Sequence, residues 1–234
     1  MNEVLTIPPK RKKVAFFDYP DVFEDFYSHY NVSQEAFATS WHNTGNHPIV
    51  KIVQEHVGDV TWYMLSIRPQ FFQKVRHAYT GSSIRYFPSS RLHRLLWNFY
   101  YYRLGNRWRQ RSYRIYATIA SYAAMCSWPL WRSLWKDRPD VIFCQEYCSG
   151  RFDMLHLIAR VLRIPILTRH AGSTGVYLGA YLKKITLPGS DWVFPSGNRE
   201  MKFLMQRYHV SAEKMSIIRA PIDFSFFKPM DKQE

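Results

Sequence analysis

Short apolar runs alternate with helical patterns along the second half of the chain. In chain order the pattern predicts strand Val141–Gln145, helix Phe152–Leu162, strand Ile166–Thr168, helix Tyr177–Lys184, strand Trp192–Pro195, helix Arg199–Tyr208 and strand Met215–Arg219. Strands that alternate with helices of this length favour a parallel sheet covered by helices on both faces. We therefore predict an α/β fold with a doubly wound, mostly parallel, Rossmann-like sheet, whose ligands bind at the carboxyl ends of its strands.

The first half of the chain continues this pattern with two interruptions. The predicted elements are strand Val14–Phe17, helix Ile49–His56, strand Val60–Ile67 and strand Ile84–Pro88. The helix follows a turn, 43–48, that offers an asparagine cap and places Pro48 in the first helical turn. An aromatic and acidic stretch, 18–41, is inserted after the first strand, and we predict one or two long helices in the region 91–138.

Region 91–138 is unusual because its charged residues are all basic except Asp137, and because tryptophans and tyrosines are interleaved with them. The whole chain has a net charge of +14 and a pI of about 9.8, which favours an anionic partner. Basic and aromatic residues together suit an anionic membrane surface. They also suit single-stranded nucleic acid, although no RRM or KH motif is present. A solvated basic face over an ordinary core is the third interpretation.

Composition narrows the protein class. A chain of 234 residues with 47% hydrophobic and 21% charged residues is typical of a globular protein. Its three cysteines are odd in number and lack CxxC spacing, which predicts no metal site and a reduced, cytoplasmic chain with buried thiols. The longest uncharged run, Ile115–Trp131, is shorter than the roughly 20 residues of a membrane span, so we predict no transmembrane helix.

Three short segments carry candidate chemistry. Gly45 precedes a helix, where a backbone without a side chain can approach a phosphate, although an ordinary turn has the same sequence. His170 directly follows a buried strand, where an imidazole can bind a sugar hydroxyl, although a loop histidine satisfied by backbone groups would look identical. Glu146 and Arg151 flank the start of the next helix, where they could bind an acceptor and a phosphate or simply form a salt bridge.

Six segments in the same order resemble the amino-terminal half of GT-B glycosyltransferases of family 4. They are Arg138–Ile142, Gly150–Asp153 with Arg163–Pro165, Thr168–Gly172, Leu187–Ser196, Tyr208–Lys214, and Ile218–Asp223 with Phe227–Pro229. No single segment is specific, but the colinear series is, and it covers about residues 137–229.

The resemblance implies a concrete activity. Members of that family have two Rossmann-like domains, of which the amino-terminal one binds the acceptor and the other binds the nucleotide-sugar donor. They transfer the sugar with retention of configuration and without a metal or other cofactor, the nucleotide sugar being a co-substrate. By resemblance His170 is the catalytic residue that contacts the transferred sugar. The residues expected to bind donor phosphate or acceptor are Gly45, Asn46, Glu146, Arg151, Gly172 and Ser173.

Three departures from the family pattern are visible. The usual paired-glycine loop is reduced to Gly45, Ala220–Pro221 replaces the Asn-Gly of the hinge, and the glutamate pair of a donor domain is absent. We therefore expect residues 1–229 to form the acceptor domain with a basic aromatic insertion at about 91–136, and 230–234 to begin an interdomain linker. The donor domain would then be a separate chain or a missing segment, and the isolated chain is expected to be inactive.

The expected partners follow from this interpretation. They are a carbohydrate or lipid-linked acceptor, a separate donor-domain chain, and an anionic surface on the inner face of the membrane. The alternatives are a non-catalytic binding or membrane-docking module and, less favoured, a nucleic-acid-binding protein.

Overall fold

The computed structural model describes residues 11–40, 45–70, 74–104, 111–170 and 180–219. The strands are β1 Lys12–Phe17, β2 Gly58–Ser66, β3 Val75–Arg76, β4 Ser83–Pro88, β5 Val141–Gln145, β6 Ile166–Arg169 and β7 Trp192–Phe194. The helices are α1 Gln34–Thr39, α2 Asn46–His56, α3 Arg91–Leu104, α4 Arg111–Met125, α5 Trp128–Asp137, α6 Gly150–Leu162, α7 Ala180–Thr186 and α8 Asn198–Tyr208. Short 3-10 turns lie at Phe23–Asp25, Tyr27–Tyr30 and Ala212–Lys214.

The strands form one seven-stranded sheet in the order β3-β4-β2-β1-β5-β6-β7. Every neighbouring pair is parallel except β3 with β4. The chain moves from β1 outwards through β2 to β4, and then crosses to β5 and moves outwards on the other side to β7. This doubly wound, mostly parallel α/β sheet is the predicted fold class.

Side chains alternate along each strand between two separate hydrophobic cores, one on each face of the sheet. One core contains Ala15, Phe17, Tyr63, Leu65, Ile142 and Cys144 together with buried residues of α5 and α6. The other contains Val14, Phe16, Trp62, Met64, Ile84 and Phe143 together with buried residues of the 18–41 insertion and α2. Because both faces are covered, the buried parts of the central strands, such as Val14–Phe17 and Trp62–Leu65, are apolar on both faces and lack a polar alternation.

The region 91–138 contains three described helices, so the prediction of one or two long helices was wrong. Met125 ends α4, and α5 begins three residues later with Pro129 in its first turn. Proline lacks an N–H and cannot continue a preceding helix, but it is favourable in the first turn of a new one. In space, α3 packs on α4 and α4 packs on α6.

Elsewhere the structure also departs from the sequence predictions. Met215–Arg219 does not form a strand, because only Met215 bridges to Val193 beside the short edge strand β7. The two-residue strand β3 was not predicted, since it has too few residues to show a pattern. The helix predicted at Ile49 begins at Asn46, and Gly45, rather than an asparagine, occupies its cap position.

Two predictions from composition concern thiols and membrane spans. The three cysteines are free thiols, but only Cys144 and Cys148 are buried. Cys126 is exposed between α4 and α5, so the prediction of buried thiols was wrong at that position. Among the helices that the structure describes, none is long and apolar enough to cross a bilayer.

Candidate functional site

Two predicted site residues, Glu146 and His170, lie along the edge where the parallel strands end, and so does Asp18, which the sequence analysis did not select. Asp18 follows β1, Glu146 follows β5 and His170 follows β6. The connections diverge between β1 and β5, since β1 leads outwards on one side and β5 leads outwards on the other. Such a divergence leaves a crevice at the carboxyl ends of the two strands, and ligands of open α/β sheets bind there.

Glu146 and His170 form a direct pair at this edge. Nδ1 of His170 lies 2.5 Å from Oε1 and 2.6 Å from Oε2 of Glu146, although the residues are 24 positions apart in sequence. His170 is only 2% exposed. Because a carboxylate accepts hydrogen bonds, a proton of this imidazole lies on Nδ1, while Nε2 lies 4.0 Å from Sγ of Cys148.

Backbone strain and a shifted pKa mark Glu146 as a special position. Its φ is +82°, a region that residues with a side chain rarely adopt and that clusters at functional sites. Its N–H donates to the carbonyl of Arg169 at 2.6 Å, and Oε1 accepts from the N–H of Cys148 at 3.0 Å. Burial opposes the charged form, but the hydrogen bonds from His170 and Cys148 outweigh it, so the pKa of Glu146 lies below its ordinary value.

Cys148 is a site residue that the sequence analysis did not single out. Its Sγ lies 3.7 Å from Nδ1 of His170. Glu146, Cys148 and His170 offer three ligand atoms within 4.8 Å of one another, which makes them a candidate metal site among the described residues. Burial, together with the neighbouring Glu146, raises the pKa of the thiol. Since Nδ1 is already engaged with Glu146, a metal would have to displace that hydrogen bond, and the absence of a metal stays a prediction.

Arg151 is buried and joins the ends of β1 and β5. Nη2 donates to the carbonyls of Tyr19, at 3.0 Å, and Gln145, at 2.8 Å, while Nη1 donates to the carbonyl of Pro20. Nε lies 3.9 Å from a carboxylate oxygen of Asp21, and the whole residue is only 3% exposed. In this structure the guanidinium therefore binds the backbone that follows β1 and the last residue of β5. Its predicted contact with a phosphate or acceptor stays a prediction.

Gly45 and Asn46 approach the same edge from the start of α2. Gly45 is exposed, with a φ of −61° that any residue can adopt, so its backbone conformation does not require glycine. The Asn46 amide and the Tyr27 hydroxyl both donate to the buried carboxylate of Asp18. Burial raises the pKa of Asp18. Asn46 is thus anchored to the end of β1, while Gly172 and Ser173 lie outside the described residues.

Tyr147 and Glu200 form a second pair, which connects His170 with the segment that follows β7. The Tyr147 hydroxyl donates to Oε1 of Glu200, and the Tyr147 ring lies 5.0 Å from the His170 ring. The other oxygen of Glu200 accepts from the N–H and the hydroxyl of Ser196, both at 2.6 Å. Glu200 thus holds the turn that precedes α8, whose cap position is Gly197, and a serine four positions before an acidic residue of the first helical turn is the sequence signal for this contact.

A small cleft lies between the start of α6 and α7. It has a volume of about 70 Å³, and its lining includes Asp21, Tyr122, Cys148, Ser149 and Lys183. Nζ of the buried Lys183 lies 2.9 Å from the carboxylate of Asp153 and donates to the carbonyl of Ser149 at 2.7 Å. Cys148, which lies between β5 and α6, contributes to the lining of this cleft.

Comparison with known proteins identifies the fold. No protein-family model matches the chain, and no curated protein matches it in sequence. The chain is similar to Anabaena Alr3699/HepE in complex with UDP-glucose, with a TM-score of 0.52, 10% identity, and coverage of 94% of this chain and 47% of that one. The complex of the same protein with UDP and glucose gives a TM-score of 0.51 at the same identity and coverage. A glycosyltransferase from Rickettsia africae ESF-5 gives 0.48 at 11% identity, covering 94% of this chain and 47% of that one.

The chain therefore spans about half the length of the HepE structure that it matches. At 10% identity the likeness establishes the fold alone. The doubly wound α/β sheet described above is the architecture that this chain shares with about half of the HepE structure.

Proposed function

We propose that this chain is the acceptor-binding half of a glycosyltransferase that uses a nucleotide-sugar donor. The observation that carries the proposal is the Glu146–His170 pair, with its two distances of 2.5 and 2.6 Å, at the ligand edge of a GT-B half. The colinear motifs of the sequence support the assignment to the acceptor side. HepE was crystallised with UDP-glucose, which is the class of donor proposed here.

The reaction would be attack by an acceptor hydroxyl on the anomeric carbon of the donor. The bond from that carbon to the phosphate oxygen breaks, the nucleoside diphosphate leaves with the electron pair, and the proton of the hydroxyl passes to an oxygen of the departing diphosphate. His170 would contact the transferred sugar through Nε2, with Glu146 fixing the ring and its tautomer. Retention of configuration and independence of metal are parts of the proposal that rest on family resemblance. Stabilisation of the departing diphosphate is assigned to the donor half.

The first test is sugar transfer from labelled nucleotide sugars. The chain would be assayed alone and together with a donor-domain chain, and we expect transfer only in the mixture. His170→Ala should lower the rate by about 10²- to 10³-fold, the range for loss of one positioned hydrogen bond that stabilises the transition state. His56→Ala is the matched control, because His56 is an exposed histidine at the end of α2.

Each outcome of this test is decisive for one part of the proposal. Transfer by the isolated chain would refute the need for a donor half. Absence of transfer in every mixture, with a folded chain, would refute the transferase assignment and leave a binding or membrane-docking module. An equal loss of transfer rate in the His170 and His56 variants would refute the assignment of His170 to the site. Addition of a chelator should leave the rate unchanged if transfer is independent of metal.

A membrane-docking role is favoured by a separate observation. Large apolar side chains are exposed on the basic helices, with Leu95 of α3 at 69% and Trp128 of α5 at 73%. Arg91 and Arg132 on the same helices are also exposed. Exposed apolar groups beside cations suit the interface of an anionic bilayer, and the proposal extends to binding at its cytoplasmic side, near a lipid-linked acceptor.

Vesicle co-sedimentation tests this role. We expect binding to vesicles that contain anionic lipid, and weaker binding after Leu95→Glu or Trp128→Glu. Ile52→Glu is the control, because Ile52 is exposed on α2, which packs against β2. Equal effects of all three variants would argue against a defined docking surface. Oligonucleotide binding with a steep salt dependence, and no response to lipid, would instead support a nucleic-acid partner.

A further inference from the structure

A cleft of about 370 Å³ lies away from the candidate site, at the opposite end of the sheet. Lys13 of β1 and Asp59 of β2, both at the second residue of their strands, contribute to its wall. Arg85 of β4 and Asp137 at the end of α5 complete one side. Because β1, β2 and β5 run parallel, this amino-terminal end is remote from Glu146 and the end of β5.

The cleft carries an excess of positive charge. Four cationic side chains line it, namely Lys13, Lys74, Arg85 and Lys136, against the two carboxylates of Asp59 and Asp137. Both carboxylates already have partners, since Arg11 lies 2.9 Å from Asp59 and Arg85 pairs with Asp137. Within the described parts of the chain, the ammonium groups of the three lysines form no ion pair within 4.0 Å, although the backbone N–H of Lys13 donates to Asp140 at 2.7 Å. The side chains that line the cleft therefore carry more positive than negative charge.

The cleft has a fixed wall. One oxygen of Asp137 accepts from the Tyr63 hydroxyl at 2.6 Å and from the Ser133 hydroxyl at 2.9 Å, in addition to the Arg85 guanidinium. These contacts tie β2, β4 and α5 together and hold Arg85 in one orientation at the wall. Its three lysine neighbours are exposed and can reorient towards a bound anion.

We infer that this cleft binds a phosphorylated small molecule. Its volume falls within the range of ordinary small-molecule sites, about 300 to 1,000 Å³. Lysine ammonium groups bind phosphate as point charges, and an oriented guanidinium adds directional hydrogen bonds. The inference does not depend on the proposed sugar transfer, because neither Glu146 nor His170 takes part.

Titration calorimetry of the full chain with inorganic pyrophosphate tests the inference. We expect saturable binding at one site, weakened about tenfold by Lys74→Ala or by Lys136→Ala, the usual effect of losing one hydrogen bond to a charged group. Lys202→Ala, an exposed lysine of α8 with the same change of net charge, should bind as the unchanged chain does. His170→Ala should also leave this binding unchanged.

Three results would overturn the inference. The first is no binding at millimolar pyrophosphate. The second is equal weakening by the Lys136 and Lys202 variants, which would show that net charge alone attracts the anion. The third is loss of binding in the His170 variant with retention in the lysine variants, which would move the anion to the carboxyl edge. Circular dichroism of each variant checks that a loss of binding is not caused by unfolding.

Discussion

Replacing Glu146 with glutamine is the sharpest test of the pair at the sheet edge. Glutamine keeps an oxygen acceptor of the same size but removes the negative charge, so the His170 hydrogen bond becomes neutral. A hydrogen bond to a charged group contributes about 1.5 to 3 kcal/mol and a neutral one about 1 kcal/mol. We therefore expect the free energy of unfolding at pH 7 to fall by about 1 to 2 kcal/mol.

The pH dependence separates this effect from a packing defect. The pKa of Glu146 is lowered in the folded chain from its ordinary value of 4.5, because the His170 and Cys148 hydrogen bonds outweigh burial. A carboxyl with a depressed folded pKa stabilises the fold above its unfolded pKa, and this contribution is lost as the pH falls through the folded value. The difference in the free energy of unfolding between the unchanged chain and the glutamine variant should therefore be largest at pH 7. It should become smaller below about pH 4.

The assay is urea unfolding followed by circular dichroism, at about six pH values from pH 3 to pH 7. Glu213→Gln is the matched control, because Glu213 is exposed in a 3-10 turn near the end of the described chain. We expect this control to change stability by less than about 0.5 kcal/mol at every pH. A Glu146 variant that is as stable as the control, or whose deficit does not vary with pH, would refute the assigned role of the carboxylate.

Two further predictions concern the packing around the site. Gly150→Ala should lower the free energy of unfolding by about 1 to 3 kcal/mol, because its Cβ would lie 2.6 Å from Oγ of Ser121. Gly197→Ala, where a Cβ meets nothing within 4 Å, should be nearly neutral in the same urea unfolding, and equal effects would contradict the packing argument. Lys183→Met should cost about 3 to 5 kcal/mol by leaving the buried Asp153 carboxylate without its ammonium partner 2.9 Å away. Adding Asp153→Asn should recover part of that loss, and a double variant no more stable than Lys183→Met in thermal unfolding would contradict the pairing.

Element types were predictable from the sequence because they follow from local periodicity. Strand β5 was predicted with both of its observed ends, Val141 and Gln145. The alternation of apolar strands with helices also predicted the doubly wound sheet. The predictions failed where the pattern is too short to be distinctive, as in the two-residue β3, and where Pro129 starts a new helix in a continuous aromatic region.

The candidate site was only partly predictable. The rule that ligands bind after parallel strands selected Glu146 and His170 separately, but nothing in the sequence showed that they form a pair. The predicted contact of Arg151 with a ligand stays a prediction, and the structure adds that its guanidinium donates to carbonyls of Tyr19, Pro20 and Gln145. Its nearest sequence neighbours gave no sign of these partners, because two of the three carbonyls lie more than a hundred positions away.

The sequence by itself determined the fold class, the chain order of the elements, and the fact that polar residues follow β5 and β6. These properties depend on neighbours within one helical turn or one strand, so the local pattern contains them. Only the tertiary structure decided which distant residues meet: the pairing of Glu146 with His170, the anchoring of Asn46 on Asp18, and the gathering of four cations at the other end of the sheet. Those contacts depend on strand order and on the packing of crossover helices, which bring together residues that are far apart along the chain.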